Sequence, residues 1–138
     1  MNRLVYLDAS ALVKLVVEEA ETAALLAYLG DEPRLVTSAL AAVEVPRAAR
    51  LIDPDEVVQE RAREIVSRCD RIEVDPEIRR VAASIDPPPL RTLDAIHLAS
   101  ALRVREALDA SVIYDRRLGD AAAGAGLEIV APGRPTAS

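Results

Sequence analysis

The sequence has no tryptophan and no phenylalanine, and its only tyrosines are Tyr6, Tyr28 and Tyr114. A core must therefore be built from Leu, Val, Ile and Ala, and aromatic base stacking has little to work with. Lysine is nearly missing: Lys14 is the only one, so positive charge rests on arginine. The single cysteine, Cys69, excludes an intrachain disulfide and points to a reducing compartment. Basic residues are in deficit, 17 Lys+Arg against 23 Asp+Glu, with a net charge of −6 and a pI near 4.8. That balance excludes a general electrostatic clamp for nucleic acid, though not a local arginine rim around an acidic site. Long apolar runs are absent too. The longest stretches free of Asp, Glu, Lys and Arg are nine residues, 22–30 and 35–43, where a membrane-spanning helix needs about 20 apolar residues. Only four apolar residues lie between Arg3 and Asp8, too few for the core of a secretion signal. The expectation is a soluble cytoplasmic protein.

What is present suits one globular domain. The 138 residues are 51% apolar, enough to bury a sizeable core at this length. Short runs of strand formers at 4–7, 35–37, 72–74, 112–114 and 128–130 alternate with amphipathic segments. Helices are expected over 11–17, 21–29, 38–51, 57–68, 76–85, 92–107 and 116–125, with Gly30 and Pro87-Pro88-Pro89 as stops. This order predicts an α/β fold, a mostly parallel five-stranded sheet covered on both faces. The domain is expected over 1–131, with 132–138 as a loose tail.

Most of the acidic residues fall where water would solvate them. Four have apolar neighbours instead. Asp8 ends the run Leu4-Val-Tyr-Leu, and Asp115 follows Val112-Ile-Tyr. Glu44 shares a helical stripe with Leu40, Ala48 and Leu51, and Asp94 one with Leu98, Ala101 and Leu102. Each has an ordinary explanation: a helix cap for Asp8, a pair with Arg47 for Glu44, a helix-dipole interaction for Asp94, a turn for Asp115. Taken together they suggest more. In a parallel sheet, strand-end acids gather at one edge. Such a cluster repels itself unless a hard divalent cation, Mg²⁺ or Mn²⁺, is shared among the oxygens. An all-carboxylate site of that kind suits phosphodiester hydrolysis, since the cation activates water and offsets charge developing on the phosphate.

Four segments, Tyr6-Leu-Asp-Ala-Ser-Ala-Leu-Val-Lys-Leu, Thr37-Ser-Ala-Leu-Ala-Ala-Val-Glu-Val, Leu93-Asp-Ala-Ile-His-Leu-Ala-Ser-Ala and Tyr114-Asp-Arg-Arg-Leu, occur in this order across nearly the whole chain. In them the sequence resembles the PIN-domain family, and within it the VapC-like toxins of toxin–antitoxin pairs. The resemblance implies a three-layer α/β/α sandwich and a Mg²⁺- or Mn²⁺-dependent ribonuclease. It also implies a homodimer and inhibition by a small VapB-like antitoxin. It carries over Asp8, Glu44, Asp94 and Asp115 as the catalytic and metal-binding acids, and Ser10 as the hydroxyl supporting the first of them. The stretch 51–90 has no motif that aligns. A homodimer also fits the mean hydropathy of +0.13, since such interfaces absorb apolar surface.

Arg116 and Arg117, directly after Asp115, and Arg47 are candidates to hold RNA phosphates; Arg50 and Arg91 could extend the rim. His97, the only histidine, lies one turn after Asp94 and is either a general base or a packed, hydrogen-bonded side chain. Lys14 and Cys69 receive no role. Two other enzyme or signalling classes fail on single residues. A haloacid-dehalogenase-type phosphatase needs a second Asp where Ser10 stands, and a receiver domain needs a late lysine, but the only lysine is Lys14. The remaining alternative is a PIN-fold nuclease or RNA-binding module outside a toxin–antitoxin system.

Overall fold

The computed structural model describes residues 3–31 and 33–135. Their elements run β1 (Leu4–Leu7), α1 (Ala9–Val16), α2 (Thr22–Leu29), β2 (Arg34–Ser38), α3 (Ala41–Ile52), α4 (Glu56–Ser67), β3 (Asp70–Ile72), α5 (Pro76–Ala83), α6 (Thr92–Arg103), β4 (Ala110–Val112), α7 (Arg116–Gly124) and β5 (Ile129–Val130). The five strands form one sheet in the order β3-β2-β1-β4-β5, and every pairing is parallel. The chain builds outward from β1 on one side, then crosses back to place β4 on the other. The gap between β1 and β4 is thus a topological switch point, where sites form outside the carboxyl ends of parallel strands.

Strand alternation sorts the core into two layers. Val5 and Leu7 of β1, with Val112 of β4, pack against Leu12, Val16, Leu25, Val45, Val58 and Val66 from α1 to α4. Tyr6 points the other way, with Val36 and Ala101, and Leu98, Ile113 and Leu118 fill the rest of that side. This is the three-layer α/β/α arrangement. Among the described residues no helix is long and apolar enough to cross a membrane.

Two strands, one helix and one side chain depart from the sequence reading. β3 occupies Asp70–Ile72 rather than 72–74; as an edge strand paired only with β2 it keeps Asp70 and Arg71 exposed, so polarity does not mark it as loop. β4 occupies Ala110–Val112 rather than 112–114. Its residues, Ala110, Ser111 and Val112, are all buried between β1 and β5, while Tyr114 lies beyond the ladder and donates its hydroxyl to Pro132 O at 2.7 Å. Leu51, expected on the buried stripe of α3, is 90% exposed; Ala41, Val45 and Ala49 form that stripe instead. α6 stops at Arg103, short of the expected 107, and passes into turns.

The segment after Val130, expected to trail loosely, is fastened where it is described. Arg134 donates to the Tyr114 carbonyl. Gly133 has φ +86° and lies so close to α2 that an added Cβ would stand 2.9 Å from Ala24 Cβ, so both the turn and the approach require glycine there. Residues 136–138 of that expectation lie outside the described residues.

Candidate active site

β1 delivers its last apolar residue to the core and then Asp8, which is 3% exposed. Asp8 stands at the N-cap of α1 in extended backbone, and its Oδ1 accepts from Ala11 N at 2.9 Å. Ser10 Oγ lies 2.7 and 2.9 Å from the two carboxylate oxygens and donates to them. Asp115 repeats the arrangement after β4: it caps α7, and its Oδ1 accepts from Leu118 N at 2.9 Å. Asp94 lies in the first turn of α6 and is partly buried. Glu44 lies in the first turn of α3, likewise partly buried.

The fold brings these four charges within electrostatic reach. Burial pushes the Asp8 carboxyl up to about 6. The Ser10 hydroxyl, the Ala11 N–H and His97 oppose that rise, and Asp115 adds to it. Asp94 is raised first by burial, then by Asp115, and further by Glu44. The charge of Asp115 thus bears on both Asp8 and Asp94. Among the described residues, however, no three Asp, Glu, His or Cys side chains are grouped as a ready cage for an ion. The donor chemistry nevertheless fits a hard divalent cation. It is all oxygen, and the repulsion is of the sign that a cation relieves.

Glu44 does not pair with Arg47. Its Oε1 lies 2.6 Å from Nε2 of His97, and Nδ1 of the same ring lies 2.7 Å from the Tyr6 hydroxyl. His97 is thus buried and hydrogen-bonded on both nitrogens. Its place in the site is half visible in the sequence: a lone histidine among apolar neighbours, one turn after Asp94, needs partners. The contribution of Tyr6 is not visible there, since it comes from a strand 91 residues away.

Lys14 also has a role that its sequence context does not announce. Its Nζ donates to Glu21 Oε1 at 2.9 Å and stands 4.6 Å from the centre of the Tyr114 ring, tying α1 to α2 and to the segment after β4. Cys69 is buried, and burial pushes its thiol up to about 11, so it is a packing residue rather than a nucleophile. Arg47, Arg116 and Arg117 are exposed. A groove of about 880 Å³ between α7 and the loop 84–90 touches Arg117 but none of the four acids. The raised carboxyls of Asp8 and Asp94 lie outside that groove.

A parallel sheet in this order, with acids at the carboxyl ends of β1 and β4 and at the starts of α3 and α6, defines a class of protein. Residues 5–124 match the PIN domain, and the chain belongs to that family. Within it the chain is VapC-like. It is 44% identical to Ribonuclease VapC35 of Mycobacterium tuberculosis over 135 residues, 95% of this chain and 98% of that protein. It is 43% identical to Ribonuclease VapC46 of the same organism over 128 residues, 93% and 97% of the two chains. A solved structure titled "Toxin-antitoxin complex from Klebsiella pneumoniae" aligns with a TM-score of 0.66 at 20% identity, covering 93% of this chain and 97% of that one. At that identity the match speaks for the fold.

Proposed function

We propose that this protein is a Mg²⁺- or Mn²⁺-dependent ribonuclease that acts as the toxin of a toxin–antitoxin pair. The observation that supports the reading is that Asp115 bears on the carboxyls of both Asp8 and Asp94, and Glu44 on that of Asp94, in a chain that matches two ribonucleases over nearly its full length. Asp8, Asp94, Asp115 and Glu44 would hold the cation. When bound, it would supply the positive charge that activates water and stabilises charge developing at the scissile phosphate.

The chain's own residues do the rest. Ser10 orients the Asp8 carboxylate and favours its ionised form. The exposed Arg116 and Arg117, directly beyond Asp115, and Arg47 on α3 would offer guanidinium groups to the passing RNA backbone. Exposed Val43, Leu51, Ile52 and Val57 on α3 and α4 support association with other chains, a VapB-like antitoxin and a second copy. The test is cleavage of RNA by the purified chain with Mg²⁺ or Mn²⁺, with EDTA, and after Asp94→Asn. Cleavage that survives both EDTA and the substitution would overturn the reading.

A further inference from the structure

We infer that Tyr6 and His97 are positioning residues for Glu44. Tyr6 fixes the ring of His97 so that its Nε2–H holds Glu44 Oε1 and leaves the other carboxylate oxygen free of that bond. The inference rests on the functional reading above and extends it to two residues that do not themselves present an acid to RNA.

Both side chains are sealed from solvent. Tyr6 is 0% and His97 2% exposed, so neither polar group can turn to water, and an unpaired one would be costly. The Tyr6 hydroxyl lies 2.7 Å from His97 Nδ1, with the Ser100 and Thr37 hydroxyls beside it. The nearby hydroxyls have given their protons elsewhere: Thr37 Oγ1 donates to Leu7 O and Ser100 Oγ to Ile96 O, each at 2.7 Å. Those hydroxyl oxygens could still accept from Tyr6, so it is the carboxylate beyond Nε2, an acceptor only, that calls for the ring proton on Nε2. With Nδ1 accepting from the Tyr6 O–H, the ring N–H is the one on Nε2. That nitrogen faces a carboxylate oxygen at 2.6 Å, the partner it needs. The edge-on packing of the two rings, 6.0 Å between centroids and 82° between planes, leaves the imidazole little freedom to turn away. Glu44 is thereby fixed at one oxygen from a buried anchor on β1, through α6, to α3. Partners of this kind, which orient a ligating group without touching the ion, typically change metal affinity or activity by about 10–100-fold when removed.

Two amide variants of different length separate the links. The amide nitrogen of His97→Gln reaches the Nε2 position and so Glu44. That of His97→Asn reaches only the Nδ1 position and so Tyr6. The full-length chain is titrated with Mn²⁺ by calorimetry, and RNA cleavage is followed alongside. His97→Gln is expected to keep most of the Mn²⁺ affinity, and His97→Asn to lose about 10–100-fold. Equal affinity in the two variants would overturn the inference while leaving the ribonuclease reading standing. Wild-type protein that takes up no Mn²⁺ would overturn both. Because His97 is the only histidine, the ¹⁵N spectrum of the wild-type ring decides the matter even where a variant does not fold. A protonated, pyrrole-like Nε2 beside a pyridine-like Nδ1 is expected, and an unprotonated Nε2 would refute the arrangement.

Discussion

Asp8 and Asp115 play the same part after neighbouring strands: each caps the helix that follows through a 2.9 Å bond from a backbone N–H, and the charge of Asp115 raises the Asp8 carboxyl. Capping and site-building are therefore not alternatives here. The cap fixes the carboxylate at the helix N-terminus, where backbone N–H groups favour negative charge, and takes a backbone N–H on only one of its two oxygens. Asn can keep the cap and lose the charge, while Ala loses both. Asp115→Asn and Asp115→Ala should therefore both abolish metal-dependent cleavage. Only the alanine variant should also lose stability, by about 0.5–2 kcal/mol. Urea unfolding of the two variants beside a cleavage assay checks this.

Asp8 gives a pH dependence with a definite sign. Its folded carboxyl titrates near 6, above an ordinary value of 3.8, so the metal-free native state holds its proton more tightly than the unfolded chain. The residue therefore costs nothing below about pH 4. It becomes destabilising as pH rises through 4 to 6, and above 6 the penalty is on the order of 3 kcal/mol. Asp8→Asn keeps an acceptor for Ala11 N and removes the charge. The variant should match the wild type near pH 4 and exceed it in stability above pH 6, with the gap shrinking as Mg²⁺ or Mn²⁺ is added to the wild type. Thermal melts across pH 4–8 with and without cation measure both effects.

The sheet, its direction and its acids are legible in the sequence because they rest on local signals. Leu4–Leu7 is an apolar run cut off by Asp8, and parallel order follows from helices between strands. β3 and β4 lie two residues earlier than their apolar runs suggest, for opposite reasons: one is polar because it is an edge, the other small because it is buried inside the sheet. Periodicity puts Leu51 in the core because it marks an apolar stripe but not what covers it. The link from Tyr6 through His97 to Glu44 joins β1, α6 and α3, and no local pattern encodes which buried polar groups will meet across a sheet. Lys14 is similar: its partners Glu21 and Tyr114 flank it only after α2 and β4 have docked.

Arg116 and Arg117 separate RNA affinity from cation affinity. Both are exposed at the start of α7, beside Asp115. If they hold backbone phosphates, replacing both with Ala weakens RNA binding across sequences, because phosphate recognition carries no base information. The dependence of log K on log salt should become shallower by about 1.4, roughly 0.7 for each phosphate no longer neutralised on single-stranded RNA. Mn²⁺ uptake should not change. Fluorescence anisotropy with a labelled RNA at several salt concentrations reads the slope, and an unchanged slope would remove these arginines from the RNA path.

The end of α3 and start of α4 carry the last prediction. Leu51 is 90% exposed, and Ile52 and Val57 are 54% and 60% exposed. Solvent-facing side chains of this kind contribute little to the stability of the isolated chain, and surface substitutions there typically stay within about ±0.5 kcal/mol. Scattered apolar residues on a surface need no explanation, but three within seven positions on adjoining helices form a patch, and patches mark interfaces. If a second copy of the chain covers them, Leu51→Glu places a charge in an apolar interface. That should raise the dissociation constant by at least about tenfold, the equivalent of 1.4 kcal/mol, while the melting temperature of the dilute chain stays unchanged. Sedimentation velocity from nanomolar to micromolar concentration distinguishes the outcomes. A wild type that associates no more strongly than Leu51→Glu, or not at all, would show that this patch is not where two copies meet. It would leave the antitoxin as the partner to test there, by titrating it against the same variant.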